Sequence, residues 1–151
     1  MRKHVKYFWY ALPLAILLLD QFTKHYASIK LIPYHPYPVI PILNFTLVYN
    51  TGAAFSFLVG TGAWHYWFLL IFSMVMSIIL SIWLYKAQNK WQALAIALVL
   101  GGALGNLYDR LSLSYVIDFI DVYYSIYHWP VFNVADSAIC VGAILLFFVI
   151  C

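Results

Sequence analysis

Two carboxylates stand out as candidates for chemistry, Asp118 and Asp136. Asp118 lies in Val116-Ile-Asp-Phe-Ile120, with two apolar residues on each side. An acid so flanked is poorly explained as solvated loop, although an interfacial loop residue is the plain alternative. Asp136 closes Phe132-Asn-Val-Ala-Asp136, in the first turn of a predicted helix. Helix amino termini favour negative charge, so capping is the bland reading of Asp136. Asn133 is an equally good cap, which leaves Asp136 free and about one turn deeper. Facing each other across a membrane-edge cleft, two such acids suit hydrolysis of a peptide bond. Close like charges do not both ionise readily, so one keeps a proton. The ionised partner draws a proton from water, and the protonated one polarises the scissile carbonyl. Asp121 follows in a more polar setting and reads as a solvated loop residue.

Other polar residues gather around these two. Asp20 and Lys24 stand i, i+4 on a predicted helix and read as a structural ion pair. Asn106, Asp109 and Arg110 end another predicted helix. Arg110 could meet lipid headgroups, pair with an aspartate or hold substrate, and is read as support for the site. Asn50 and Gly52, in Asn50-Thr-Gly-Ala-Ala-Phe55, mark a tight turn.

Rival chemistries lack their patterns. The histidines at 4, 25, 35, 65 and 128 lie apart, without HExxH or similar metal spacing. No GxSxG elbow is present. Gly101-Gly-Ala-Leu-Gly-Asn106 lacks the Lys-Ser/Thr of a phosphate loop and sits inside an apolar helix. Cys140 and Cys151 share one predicted helix, roughly 16 Å apart, beyond disulfide reach, and read as packing residues.

The elements that must position these residues belong to a membrane protein. Of 151 residues, 66% are hydrophobic and 9% charged, where soluble chains average about 25% charged. Such a chain needs the bilayer as solvent. The net charge of +3 is concentrated in Met1–Lys6, which fits anionic headgroups and gives no sign of nucleic acid. The expected fold is mainly α and polytopic: four transmembrane helices at about 7–27, 64–85, 91–108 and 133–151, forming a single membrane domain. The first is read as an uncleaved span, because Asp20 and Lys24 interrupt a signal-peptide pattern. Residues 28–63 are expected as an extramembrane loop with short strands, since Pro33, Pro36, Pro38 and Pro41 break helices and Ile42–Asn50 is rich in β-formers. A turn is expected at Gly60-Thr-Gly62, and residues 111–131 are read as a second loop. Arg2, Lys3, Lys6, Lys86 and Lys90 on one side, against Lys24, Lys30 and Arg110 on the other, place both termini in the cytoplasm. All five aspartates then fall at or near the outer face.

Five segments, taken in order, resemble bacterial lipoprotein signal peptidase, also called signal peptidase II. They are Asp20-Gln-Phe-Thr-Lys24, Asn50–Phe55, Gly101-Gly-Ala-Leu-Gly-Asn-Leu-Tyr-Asp-Arg110, Val116-Ile-Asp-Phe119 and Phe132-Asn-Val-Ala-Asp136. The resemblance implies an aspartyl endopeptidase of the bacterial cytoplasmic membrane that needs no metal or other cofactor. It would remove signal peptides from prolipoproteins just before a cysteine carrying diacylglycerol. By segment, Asp118 and Asp136 correspond to the catalytic aspartates. Asp20, Lys24, Asn50, Gly52, Asn106, Arg110 and Asn133 match positions that support the site or contact substrate. The implied partners are prolipoproteins, membrane lipids and inhibitors of the globomycin type, with the chain expected as a monomer. Members of that family usually continue into a short basic tail, whereas this chain ends at Cys151. A proton-coupled carrier and a non-enzymatic assembly factor are the alternatives. A proton relay would need polar stations through the bilayer, and the second span and the fourth after Asp136 have almost none.

Overall fold

The computed structural model describes residues 7–52 and 63–150. Four helices carry most of them: α1 Ala11–Lys30, α2 Ala63–Tyr85, α3 Lys90–Leu113 and α4 Val134–Ile150. Four strands, β1 Tyr37–Ile40, β2 Leu43–Asn50, β3 Val116–Tyr124 and β4 Tyr127–His128, form one antiparallel sheet in that order. The fold is therefore mainly helical with a small sheet. The basic opening, residues 53–55 and the turn expected at 60–62 lie outside the described residues.

Helix α3 is the hub, packed against α1, α2 and α4. Its small residues allow this. A Cβ on Gly101 would fall 2.7 Å from Ile16 Cβ of α1, and one on Gly102 would collide with the Ala135 carbonyl of α4. Asn89 caps α3 by accepting from the Gln92 amide at 2.9 Å. Ser114 ends it in the left-handed conformation, φ 69°. That sharp stop delivers the chain straight into β3.

Helix α2, from Trp64 to Tyr85, and helix α3 are long and apolar enough to cross a bilayer. The apolar α4, with 17 residues, is shorter. Ile71, Phe72, Ile78, Phe147 and Phe148 lie exposed on these helices. Lipid solvates such faces, and water would not.

The segment 111–131, read as a loop, holds the last turn of α3 and the interior strand β3. Val116–Phe119 are buried on both faces of β3, so the strand shows no alternation for a sequence reading to catch. Opposite β2, Asp118 pairs with Val48 and Asp121 with Asn44. Successive side chains of a strand point to opposite faces, so Asp118 and Asp121 face opposite ways. Proline-rich β1 takes an edge position, where missing amides are tolerated.

Candidate active site

Asp118 from β3 and Asp136 from the first turn of α4 line one cavity of about 540 Å³. Leu69, Phe72 and Met76 of α2 and Ile139 and Val141 of α4 form its apolar wall, and Asn50, Asn106 and Arg110 join the carboxylates at its polar end. Asn133 ties the two acids together. Its Nδ2 donates to Asp118 Oδ1 at 2.7 Å, and its backbone N–H donates to Asp136 Oδ2 at 3.2 Å. Its Oδ1 in turn accepts from the Asp136 amide at 2.8 Å. This reciprocal pair is a capping box with Asp at the third position. Asp136 is therefore not freed from capping, as the sequence implied. One oxygen closes the cap while the other accepts from Asn106 Nδ2 at 2.8 Å.

The second oxygen of Asp118 accepts from Asn50 Nδ2 at 2.9 Å. Asn50 Oδ1 is held by the Gly52 amide at 2.9 Å, an Asx turn that aims the side chain at the acid. Asp118 is 1% exposed. Burial, and then the charge of Asp136, push its carboxyl up to about 7, against the opposing hydrogen bonds from Asn50 and Asn133. Arg110 donates weakly to Asn106 O (3.3 Å), Ser73 Oγ (3.5 Å) and Gly52 O (3.5 Å), drawing three segments together around the cavity.

Behind the pair lies a buried ion cluster. Lys24 Nζ sits 2.8 Å from Asp20 Oδ2 and 2.8 Å from Asp109 Oδ2, and it donates to Asn106 Oδ1 at 3.1 Å. Asp20 also accepts from the Ala135 amide at 2.9 Å, and Asp109 from the Ile117 amide at 3.0 Å and Gln21 Nε2 at 2.8 Å. The pairing of Asp20 with Lys24 is thus half of a triad. The sequence reading left Asp109 out of the site. Its signal was the i+3 spacing from Asn106, which puts both on one helix face.

Two other readings change. Asp121 is buried rather than solvated, at 3% exposed. Burial would raise its carboxyl, but hydrogen bonds from His128, Thr46 and Asn44 outweigh that and hold it below the usual carboxylate range. Cys140, read as a packing residue, is exposed and lines the cavity wall.

Residues 12–151 match the signal peptidase (SPase) II family. The chain is 53% identical over 140 residues to the lipoprotein signal peptidase of Teredinibacter turnerae, spanning 91% of this chain and 83% of that protein. To the lipoprotein signal peptidase of Acinetobacter baumannii it is 51% identical over 140 residues, spanning 91% and 80%. A bacterial membrane enzyme solved by the in meso method at 2.3 Å resolution superposes with a TM-score of 0.83 at 33% identity, over 93% of this chain and 85% of that one. A second, at 1.9 Å, gives 0.80 at 33% identity, over 93% and 90%. On these grounds the chain belongs to the signal peptidase II family of aspartic-type peptidases.

Proposed function

We propose that Asp118 and Asp136 are the catalytic pair with which this peptidase removes signal peptides from prolipoproteins, cutting before a diacylglyceryl cysteine. The observation that carries the reading is the Asn133 bridge, which joins two carboxylates at the polar end of an otherwise apolar cavity. We assign the shared proton to Asp118, whose carboxyl is pushed up to about 7 by burial and by the charge of Asp136. Asp136 accepts a proton from a water, whose oxygen attacks the scissile carbonyl. Asp118 donates to the carbonyl oxygen as negative charge develops there. On collapse of the tetrahedral intermediate, Asp136 returns its proton to the leaving amine and Asp118 recovers its own. The apolar wall suits the acyl chains of the substrate, and a globomycin-type lipopeptide would compete for the same space.

The proposed topology has four spans, both termini in the cytoplasm and the pair at the outer face. Burial sharpens the charge argument behind it. Lys24 is locked in its triad and Arg110 lies in the cavity wall, so Lys30 is the one remaining lysine or arginine at that face among the described residues. Residues 31–52 carry no Asp, Glu, Lys or Arg, and the two acids within 111–132 are buried. A sheet without exposed formal charge suits the membrane surface.

The test is cleavage of a diacylglyceryl-modified prolipoprotein by the purified protein in liposomes, beside Asp118→Asn and Asp136→Asn. Both variants are expected to be inactive. Parental cleavage by either one overturns the assignment of the pair.

A further inference from the structure

Asp121 is a buried acid that the proposed chemistry does not use. It lies on the face of β3 opposite Asp118, yet it is the most heavily bonded side chain there. Oδ2 accepts from Thr46 Oγ1 at 2.9 Å and Asn44 Nδ2 at 3.3 Å, both from β2. Oδ1 lies 2.7 Å from His128 Nδ1 of β4, and an ionised carboxylate can only accept that bond. One carboxylate thus joins three strands.

Backbone rungs tie Trp129 to Val122 and Phe132 to Ile120 at the base of the hairpin, and its tip is less well held. Strand β4 is two residues long and pairs with β3 only through Tyr123–His128 and Tyr124–Tyr127. Two-stranded ribbons this short are marginal alone. Tyr124, Ile126 and Tyr127 at its end are 75–80% exposed, so core packing does not hold it. The His128 ring stacks on Tyr123, centroids 5.1 Å apart at 15°.

The next residue belongs to the catalytic cavity. The Trp129 amide donates to Val122 O at 2.8 Å, continuing the hairpin by one rung. Alternation then turns Trp129 to the face opposite His128, the face of Asp118, and Trp129 lines the cavity with Asp118 and Asp136.

We propose that Asp121 and His128 are a positioning pair: from the far face of the sheet they fix the β3–β4 hairpin so that Trp129 stands as a wall of the catalytic cavity. Substrate binding depends on that wall, whereas the chemical step on Asp118 and Asp136 does not. The inference rests on the reading of those two aspartates as the catalytic pair.

Three variants of the full chain test it in liposomes with a diacylglyceryl-modified prolipoprotein. His128→Phe keeps a ring on Tyr123 and removes the Nδ1 donor. His128→Asn keeps a donor near the Nδ1 position and removes the ring. Trp129→Leu removes the wall. His128 is half exposed, at 49%, so these changes leave the fold intact, which a melting curve checks. His128→Phe and Trp129→Leu are expected to raise KM by about five- to tenfold with kcat within about twofold, the scale of one lost hydrogen bond. His128→Asn should keep the parental KM. The double variant of His128→Phe and Trp129→Leu should be no worse than Trp129→Leu alone, because both act through one wall. An unchanged KM in His128→Phe, a fall in kcat alone, equal damage from His128→Asn, or multiplied effects in the double variant each overturn the proposal. Asp118→Asn, run alongside, reports separately on the catalytic pair: cleavage by that variant sinks the pair without altering the comparison of KM values.

Discussion

The molecule contains two pairs of carboxylates, all buried but the half-buried Asp136, and the pairs differ in what stands between them. Asp20 and Asp109 share a lysine ammonium, 2.8 Å from each. Asp118 and Asp136 share a neutral amide, Asn133. A cation between two acids offsets their mutual repulsion. An amide donates hydrogen bonds but adds no charge, so the repulsion between the acids persists and a proton is retained. The first arrangement is a clamp joining α1, α3, β3 and, through the Ala135 amide, α4. The second is poised for proton transfer. Environment, rather than residue type, separates the structural aspartates from the pair proposed for chemistry.

The sharpest way to break this contrast is to neutralise the pairs one at a time. Asp118→Asn and Asp136→Asn should each lower kcat by about 10³-fold or more, the range of lost general acid–base catalysis. Their melting temperatures should hold or rise, because each replaces a carboxyl that is costly to ionise there and ends the repulsion within the pair. Lys24→Met is the opposite case. It strands Asp20 and Asp109, 0% and 1% exposed, without their cation. Breaking such a buried cluster costs about 3–5 kcal/mol. In detergent this should appear as a melting temperature lower by roughly 10 °C. An unchanged melting curve for Lys24→Met would show that the two pairs are not different in kind.

The pH dependence sharpens the comparison further. Asp118 is pushed up to about 7, against an ordinary 3.8. Below about 7 it holds the proton the mechanism needs, and as pH rises through 7 that proton is lost. The rate kcat/KM should therefore fall by about tenfold per pH unit on the alkaline side. Stability runs the same way. Between about pH 4 and 7 the folded state binds a proton that the unfolded state has released, so stability falls as pH rises through that window. Asp118→Asn should flatten this part of a melting-temperature profile. Lys24 offers a check: its charge lowers the Asp118 carboxyl, so Lys24→Met should move the alkaline limb of kcat/KM upward.

Sequence carried these two regions unequally. That Asp118 and Asp136 line one cavity was anticipated because Val116-Ile-Asp-Phe-Ile120 and Phe132-Asn-Val-Ala-Asp136 are local patterns, each with its acid in an odd apolar setting. Half of the inner cluster was legible too, since Asp20 and Lys24 are one helical turn apart. Its other half was not, because Asp109 reaches Lys24 from another helix, and no local pattern encodes such a contact. The sheet hid for a related reason. Proline spacing and β-branched residues revealed β2, but β3 is buried on both faces, so period-2 alternation was missing. Asp121 looked solvated because its partners Asn44 and Thr46 are remote in sequence, although His128 stands on the adjoining strand of the same hairpin.

Asn106 decides whether the two pairs are independent. Its Oδ1 accepts from Lys24 Nζ at 3.1 Å and from Asn133 Nδ2 at 3.2 Å, while its Nδ2 donates to Asp136 Oδ1 at 2.8 Å. One side chain therefore reads the position of the clamp and sets the carboxylate of the proposed base. Asn106→Ala leaves Lys24 with both of its aspartates, so the clamp survives. Asp136 keeps its cap from Asn133 but loses the donor that orients its other oxygen. The loss is a hydrogen bond to a charged group, about 1.5–3 kcal/mol. Expressed in kcat this is roughly ten- to hundredfold, smaller than removal of either acid. Added to Asp136→Asn, the same change should cost little more, because the oriented group is already gone. Should the two losses multiply instead, Asn106 acts on catalysis by a route other than Asp136, and the clamp and the proposed catalytic pair are coupled through Lys24 or Asn133.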